Sequence, residues 1–234
     1  MHTVAVISAP NASIPGAIVV ARGHYRDSEQ WWPELRAVEV RQVEWATAPA
    51  AGCLPRVSAA LAAVSERVGP TPTNTDPREG DTSVRLTIGD NYWASVRPAC
   101  ERLHIRPDAI VTIRPGLSAP EGYHHQQTVG RLYLLDALRD RLPIMTVALP
   151  GERPEGLPDI VTAHEVRSAL REIQARPRLL DEETSAPGLD RQDVLILTIA
   201  LAVDDLALHV TQKHTRNINR VHARRETYGR RRWL

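Results

Sequence analysis

The stretch Val84-Arg85-Leu86-Thr87-Ile88-Gly89-Asp90-Asn91 reads as a short apolar strand, 84–88, running into a turn. β-Branched and aliphatic residues suit a pleated, buried surface, and Gly-Asp-Asn favours a reversal of the chain. On its N-terminal side lie three further candidate strands. Residues 4–8 and 17–22 are apolar runs, and 35–45 alternates Leu35, Ala37, Val38, Val40 and Val43 with charges between. Leu54, Val57, Leu61, Val64 and Val68 then fall at helical spacing, and the Pro-, Thr-, Asn- and Gly-rich 69–81 reads as a loop. On the C-terminal side the pattern predicts a helix over 92–103, a strand over 109–113, a loop over 115–123 and a helix over 128–141. A strand over 144–149, a Pro/Gly loop over 150–158, a helix over 163–175, a turn region over 181–188 and an apolar helix from 191 to about 210 complete it. Three strands, a helix and then alternating strands and helices predict an α/β domain with a mixed β-sheet flanked by helices.

Composition narrows the function classes. A chain of 234 residues with 42% hydrophobic residues can bury a sizeable core. The longest apolar run, Val194 to Val203, is about half of what a bilayer span requires, and no signal-peptide layout opens the sequence. Cys53 and Cys100 match no metal spacing and read as small buried hydrophobes. These features predict a cytoplasmic protein without a membrane partner. No phosphate-binding glycine loop, nucleophile elbow or zinc motif is present.

Charge is unevenly spread. Lys213 is the only lysine, so positive charge is almost all arginine, which grips phosphate with a planar fork. From His209 to Leu234 there are eight basic residues (Lys213, Arg216, Arg220, Arg224, Arg225, Arg230, Arg231 and Arg232) and one acid, Glu226. The tail thus carries +7, whereas the other 208 residues, with 21 basic and 27 acidic groups, carry −6. Tyr228 and Trp233 are interleaved. Basic groups that neutralise phosphates, with aromatics that stack on bases, point to DNA or RNA as partner. A protein partner docking on the tail, or a solvated tail that balances the acidic body, is the alternative.

The order of elements resembles the ribonuclease H-like fold, and several stretches are similar to the nuclease domain of phage terminase large subunits. Leu86-Thr87-Ile88-Gly89-Asp90-Asn91, followed by Ala94-Ser95-Val96-Arg97-Pro98, resembles that family's strand ending in an acid before a small-residue turn and helix. Ala109 to Gly116 resembles the next strand, and Arg191-Gln192-Asp193-Val194-Leu195-Ile196-Leu197 the helix that closes the catalytic site. The resemblance spans roughly 3–210, with an insertion at about 117–158 and the basic tail, 211–234, beyond it. It implies a nuclease in which carboxylates from separate elements hold two Mg²⁺ or Mn²⁺ ions. Asp90 and Asp193 would be the metal ligands, with Asp190 auxiliary. The family's first-strand Asp has no counterpart, because Val4-Ala5-Val6-Ile7 runs into Ser8-Ala9-Pro10-Asn11. Glu39 or Glu44 on the third strand is the candidate replacement. Without one, the same fold would serve as a catalytically inactive nucleic-acid-binding or assembly subunit. A small-molecule α/β enzyme or sensor, with a pocket at its strand ends, is the third reading.

Other features have plainer readings. Gly-Asp-Asn is common turn chemistry, and an acid at a helix start, as at Asp193, is favoured by the macrodipole. Asp204 lies about 16 Å along the helix from Asp193 by rise, so the two cannot share a metal, and Asp204 with Asp205 reads as a solvated face or as a partner of the basic tail. His124 and His125 are adjacent and point apart on an extended segment, and Trp31 with Trp32 most simply caps the core edge.

Overall fold

The computed structural model describes residues 2–7, 13–27, 33–46, 84–89, 101, 107–116, 119–123, 126–175 and 190–208. The strands are β1 (His2–Ile7), β2 (Gly16–Asp27), β3 (Pro33–Ala46), β4 (Val84–Gly89), β5 (Ala109–Arg114), β6 (Glu121–Tyr123), β7 (Gln126–Gly130) and β8 (Met145–Val147). The helices are α1 (Arg131–Arg141), α2 (Ala163–Ala175) and α3 (191–208). A single 3₁₀ turn, Leu142–Ile144, joins α1 to β8.

All eight strands form one mixed sheet in the order β6-β7-β5-β4-β1-β2-β3-β8. β1, β2 and β3 are an antiparallel meander, and β4, β5 and β7 add in parallel on the far side of β1. β8 adds parallel to β3, and β6 is antiparallel to β7. Six strands therefore point the same way, with β2 and β6 reversed. The predicted α/β class with a mixed sheet and flanking helices is what the chain adopts.

Boundaries differ where polar residues continue a strand. β2 and β3 run on through Gly23–Asp27 and Pro33–Glu34, beyond the apolar runs that marked them, because pairing with a neighbouring strand fixes them. The helix predicted over 128–141 begins at 131, since Gln126–Gly130 pairs with β5. Residues 117–158, expected as an insertion, contribute β6, β7, α1 and β8 to the fold. α2 has its predicted bounds. Its start is a reciprocal cap: the Thr162 backbone N–H donates to Glu165 Oε2 at 2.7 Å, and the Glu165 N–H donates to Thr162 Oγ1 at 3.3 Å. The helix expected over 54–68, most of that over 92–103, and the paired residues Trp31/Trp32 and His124/His125 lie outside the described residues.

The main core lies between one sheet face and the three helices. Ala5 and Ile7 of β1, Ala17, Val19 and Ala21 of β2, and Val38, Val40, Val43 and Trp45 of β3 meet Leu134 and Leu138 of α1, Val166, Ala169 and Ile173 of α2, and most of α3. From Val194 to Leu206 every residue of α3 is buried, as expected of a helix apolar on all sides. The sheet's second face is buried as well, through Val4, Val6, Ile18, Val20, Leu86 and Ile88.

A charge at the far end of α3 fixes how it lies. Asp205 is 7% exposed and accepts from Thr3 Oγ1 of β1 at 2.8 Å. Arg85 of β4 donates to it through Nε at 3.1 Å and Nη2 at 3.0 Å. Burial would lower the Arg85 pKa, but the charge and hydrogen bonds of Asp205 outweigh this and hold it raised. About 13 Å from Thr3 along β1, Gly89 lies between Ile7 and Leu201; a Cβ on Gly89 would stand 2.8 Å from Leu201 Cδ2 and 3.1 Å from Ile7 Cγ1. α3 thus runs antiparallel to β1 and β4, and Gly89 is the seat it packs on.

Asp205→Ala is expected to cost about 3–5 kcal/mol in urea unfolding, because it strands a buried guanidinium. The double variant Arg85→Leu/Asp205→Leu is expected to recover most of that loss. A loss below about 1 kcal/mol for Asp205→Ala contradicts this account.

Candidate functional site

Six parallel strand ends converge on one edge of the sheet, and the first turn of α3 lies there too. Trp45 stands near the end of β3, Gly89 ends β4, Arg114 ends β5, and Arg131 follows β7 directly. In open α/β sheets this is the edge where ligands bind.

Asp190 and Asp193, the sequence-predicted acids of α3, hold each other. The Asp193 N–H donates to Asp190 Oδ1 at 2.7 Å, and the Asp190 N–H donates to Asp193 Oδ2 at 3.2 Å. This reciprocal cap satisfies amide donors that the helix itself cannot. Asp193 Oδ1 lies 3.2 Å from Arg131 Nη2, with the two side chains only 12% and 14% exposed. Both oxygens of Asp193 therefore face donors, one a cation. Asp90 and the basic tail residues 211–234 lie outside the described residues. Gly89, the last described residue of β4, packs on Leu201, two turns and about 12 Å along α3 from Asp193.

Glu39 and Glu44 do not join these acids. The β2–β3 register passes from Val20↔Gln42 to Ala21↔Val40, leaving Arg41 as a bulge. The bulge shifts the core-facing parity from Val38 and Val40 to Val43 and Trp45, so Glu39 and Glu44 both lie on the opposite face from α3. There Glu39 pairs with Arg41 at 3.0 Å and His24 at 3.8 Å, and Glu44 accepts from Gln42 at 2.6 Å. Neither compensates for the missing first-strand acid. On that face His2 is a neutral imidazole, its pKa lowered to about 4 by burial and then by nearby positive charge, including Arg22 and Arg41.

The expectation of a solvated face for Asp204 and Asp205 is also corrected, because each is 7% exposed. Asp205 is neutralised by Arg85. Burial raises the Asp204 pKa to about 6, with Asp205 adding to the rise and Arg141 opposing it. Burial also raises the pKa of Tyr133 on α1, as does the Asp204 charge, against an opposing effect of Arg141.

Sequence reasoning missed the arginines of this edge. Arg191 lies 4.3 Å over the Trp45 ring, Arg131 pairs with Asp193, and Arg153 reaches the same region from the 150–160 loop. Arg191 and Arg131 do carry one readable signal: each opens a helix, where a cation is electrostatically unfavourable and needs a local reason.

No protein-family model matches the chain, and no curated protein or solved structure matches it. Among the described residues no group of three or more His, Cys, Asp or Glu side chains could hold a metal ion. Asp190 and Asp193, spent on a helix cap and an arginine, do not fit the ligand set that a two-metal centre requires. No helix of the described residues is long and apolar enough to cross a membrane.

Asp204 has a measurable signature. Its folded pKa lies above the unfolded value, so the folded state takes up a proton more readily. Stability is therefore greater below about pH 4 on this account, and falls as pH rises to about 6. Asp204→Asn is expected to flatten that slope and to raise stability at pH 7 by on the order of 2 kcal/mol. An unchanged pH profile of thermal unfolding in the variant contradicts the assignment.

Proposed function

We propose that this chain binds nucleic acid on a ribonuclease H-like scaffold without cutting it. The meander β1–β2–β3, extended in parallel by β4 and β5 on the other side of β1, with α3 packed across it, supports that scaffold. The observation that carries the non-catalytic reading is the Arg131–Asp193 pair. A carboxylate needed to hold a divalent cation instead accepts from a guanidinium and a helix amide. β1 presents Thr3, Ala5 and Ile7 toward α3, where the nucleases that the sequence resembles place an acid.

Binding rests on arginine. Arg153 and Arg191 lie along or close to the strand-end edge, and the sequence adds Lys213, Arg216, Arg220, Arg224, Arg225, Arg230, Arg231 and Arg232 in its final segment. Such an array neutralises backbone phosphates and gives affinity that falls steeply with salt. DNA or RNA is the partner this chemistry selects, with sequence read weakly or not at all.

The test is a gel-shift and nicking assay with plasmid and single-stranded DNA, in Mn²⁺ or EDTA, on the wild type and Asp193→Asn. The expected result is a salt-sensitive shift in both proteins, with no cutting. Replacing Arg230, Arg231 and Arg232 by Ala is expected to reduce the slope of log affinity against log salt by up to about 3. Metal-dependent cutting that disappears in Asp193→Asn would instead make this a nuclease. Absence of any shift would remove nucleic acid as the partner.

A further inference from the structure

A cavity of about 340 Å³ opens at the same sheet edge, bounded by Trp45, Arg191, Arg153, Asp159, Pro15 and Pro158 among others. It is within the size range of pockets for small organic ligands, well above what one inorganic anion fills. Its walls are held by the backbone. The Trp45 N–H donates to the Asp159 carbonyl at 2.7 Å, and the Val161 N–H donates to the Val43 carbonyl at 2.9 Å, so the 159–161 segment is tied along the end of β3.

The two cations differ in how they are spent. Arg153 donates through Nε to the Ile160 carbonyl at 3.2 Å and through Nη2 to Glu165 Oε1 at 2.8 Å, which leaves Nη1. The Arg191 guanidinium carbon lies 4.3 Å over the centroid of the buried Trp45 ring, and among the described residues no carboxylate or carbonyl accepts from it. The cation–π contact holds the guanidinium against the ring while its N–H donors stay available, which lowers the loss of side-chain freedom when the fork binds phosphate. Asp159 gives the lining one acid, which repels an anionic group and so directs it to the arginine side of the cavity.

From this polarity we infer that the cavity binds a nucleoside phosphate monoester, with the phosphate on Arg191 and Arg153 and the nucleoside on the Asp159 side, away from the anionic end. The inference deepens the nucleic-acid reading and rests on it for one source of the ligand, the phosphorylated end of a strand; a free mononucleotide is the other.

Isothermal titration of the full chain with adenosine 5′-monophosphate, adenosine and inorganic phosphate tests it. The nucleotide is expected to bind saturably, and adenosine at least about tenfold more weakly. Arg191→Gln is expected to weaken nucleotide binding by about tenfold or more, and Arg191→Lys, which keeps the charge but not the fork, to restore little of it. Arg191 is exposed, so both variants are expected to keep the wild-type melting temperature within a few degrees, as a check on folding. No nucleotide binding, equal binding of adenosine, or nucleotide binding unchanged in Arg191→Gln overturns the inference. Competition by oligonucleotides with a 5′-phosphate or a 5′-hydroxyl separates the sources. Displacement by the phosphorylated strand alone assigns the cavity to strand ends, and displacement by neither assigns it to free nucleotides. Salt-sensitive DNA binding in a protein that binds no nucleotide keeps the broader reading and removes this one.

Discussion

Asp205 is a charge in the interior, and the architecture is organised around neutralising it. A carboxylate cannot be taken out of water alone, so its environment must supply a cation and a full set of donors. Arg85 of β4 brings the cation and Thr3 of β1 the third hydrogen bond. One side chain of α3 is thereby tied to the two central parallel strands. With Leu201 seated against Gly89 at their other end, the direction of α3 across the sheet is fixed. Its first turn is then carried beyond the strand ends, to the edge where six strands finish.

What that edge can do follows from how its charges are paired. Asp190 and Asp193 cap the start of α3, and Arg131 neutralises Asp193, so these two acids are already employed in holding the structure. The cations are less committed. Arg191 lies over Trp45 without an acceptor among the described residues, and Arg153 keeps one nitrogen beyond its bonds to Ile160 and Glu165. Among the described residues, this pairing leaves arginines more available than Asp190 and Asp193, a balance that supports the proposed anion-binding role over a two-metal centre.

Much of the fold was legible because it rests on local pattern. α2 has strong amphipathic spacing and a Thr-x-x-Glu start, and its bounds were read correctly. Residues 128–130, the end of β7, read as the start of a helix because Gln126-Gln127-Thr128 carries no apolar alternation; only pairing with β5 makes 126–130 a strand. The site was less legible because its pairings are non-local. Asp205 finds Arg85 across 120 residues, and nothing near Asp205 in sequence distinguishes it from a solvated acid. Glu39 and Glu44 were open candidates because a single bulged residue, Arg41, sets which face they take. Asp193 was placed correctly at a helix start, but its Arg131 partner follows a strand that periodicity did not reveal.

Whether Asp193 serves Arg131 or a metal ion decides the proposed function. Titration of Mn²⁺ into the full chain, followed by calorimetry on the wild type and Asp193→Asn, tests it most directly. The account predicts no saturable binding that differs between the two proteins. Saturable Mn²⁺ binding by the wild type that is lost in Asp193→Asn would contradict it.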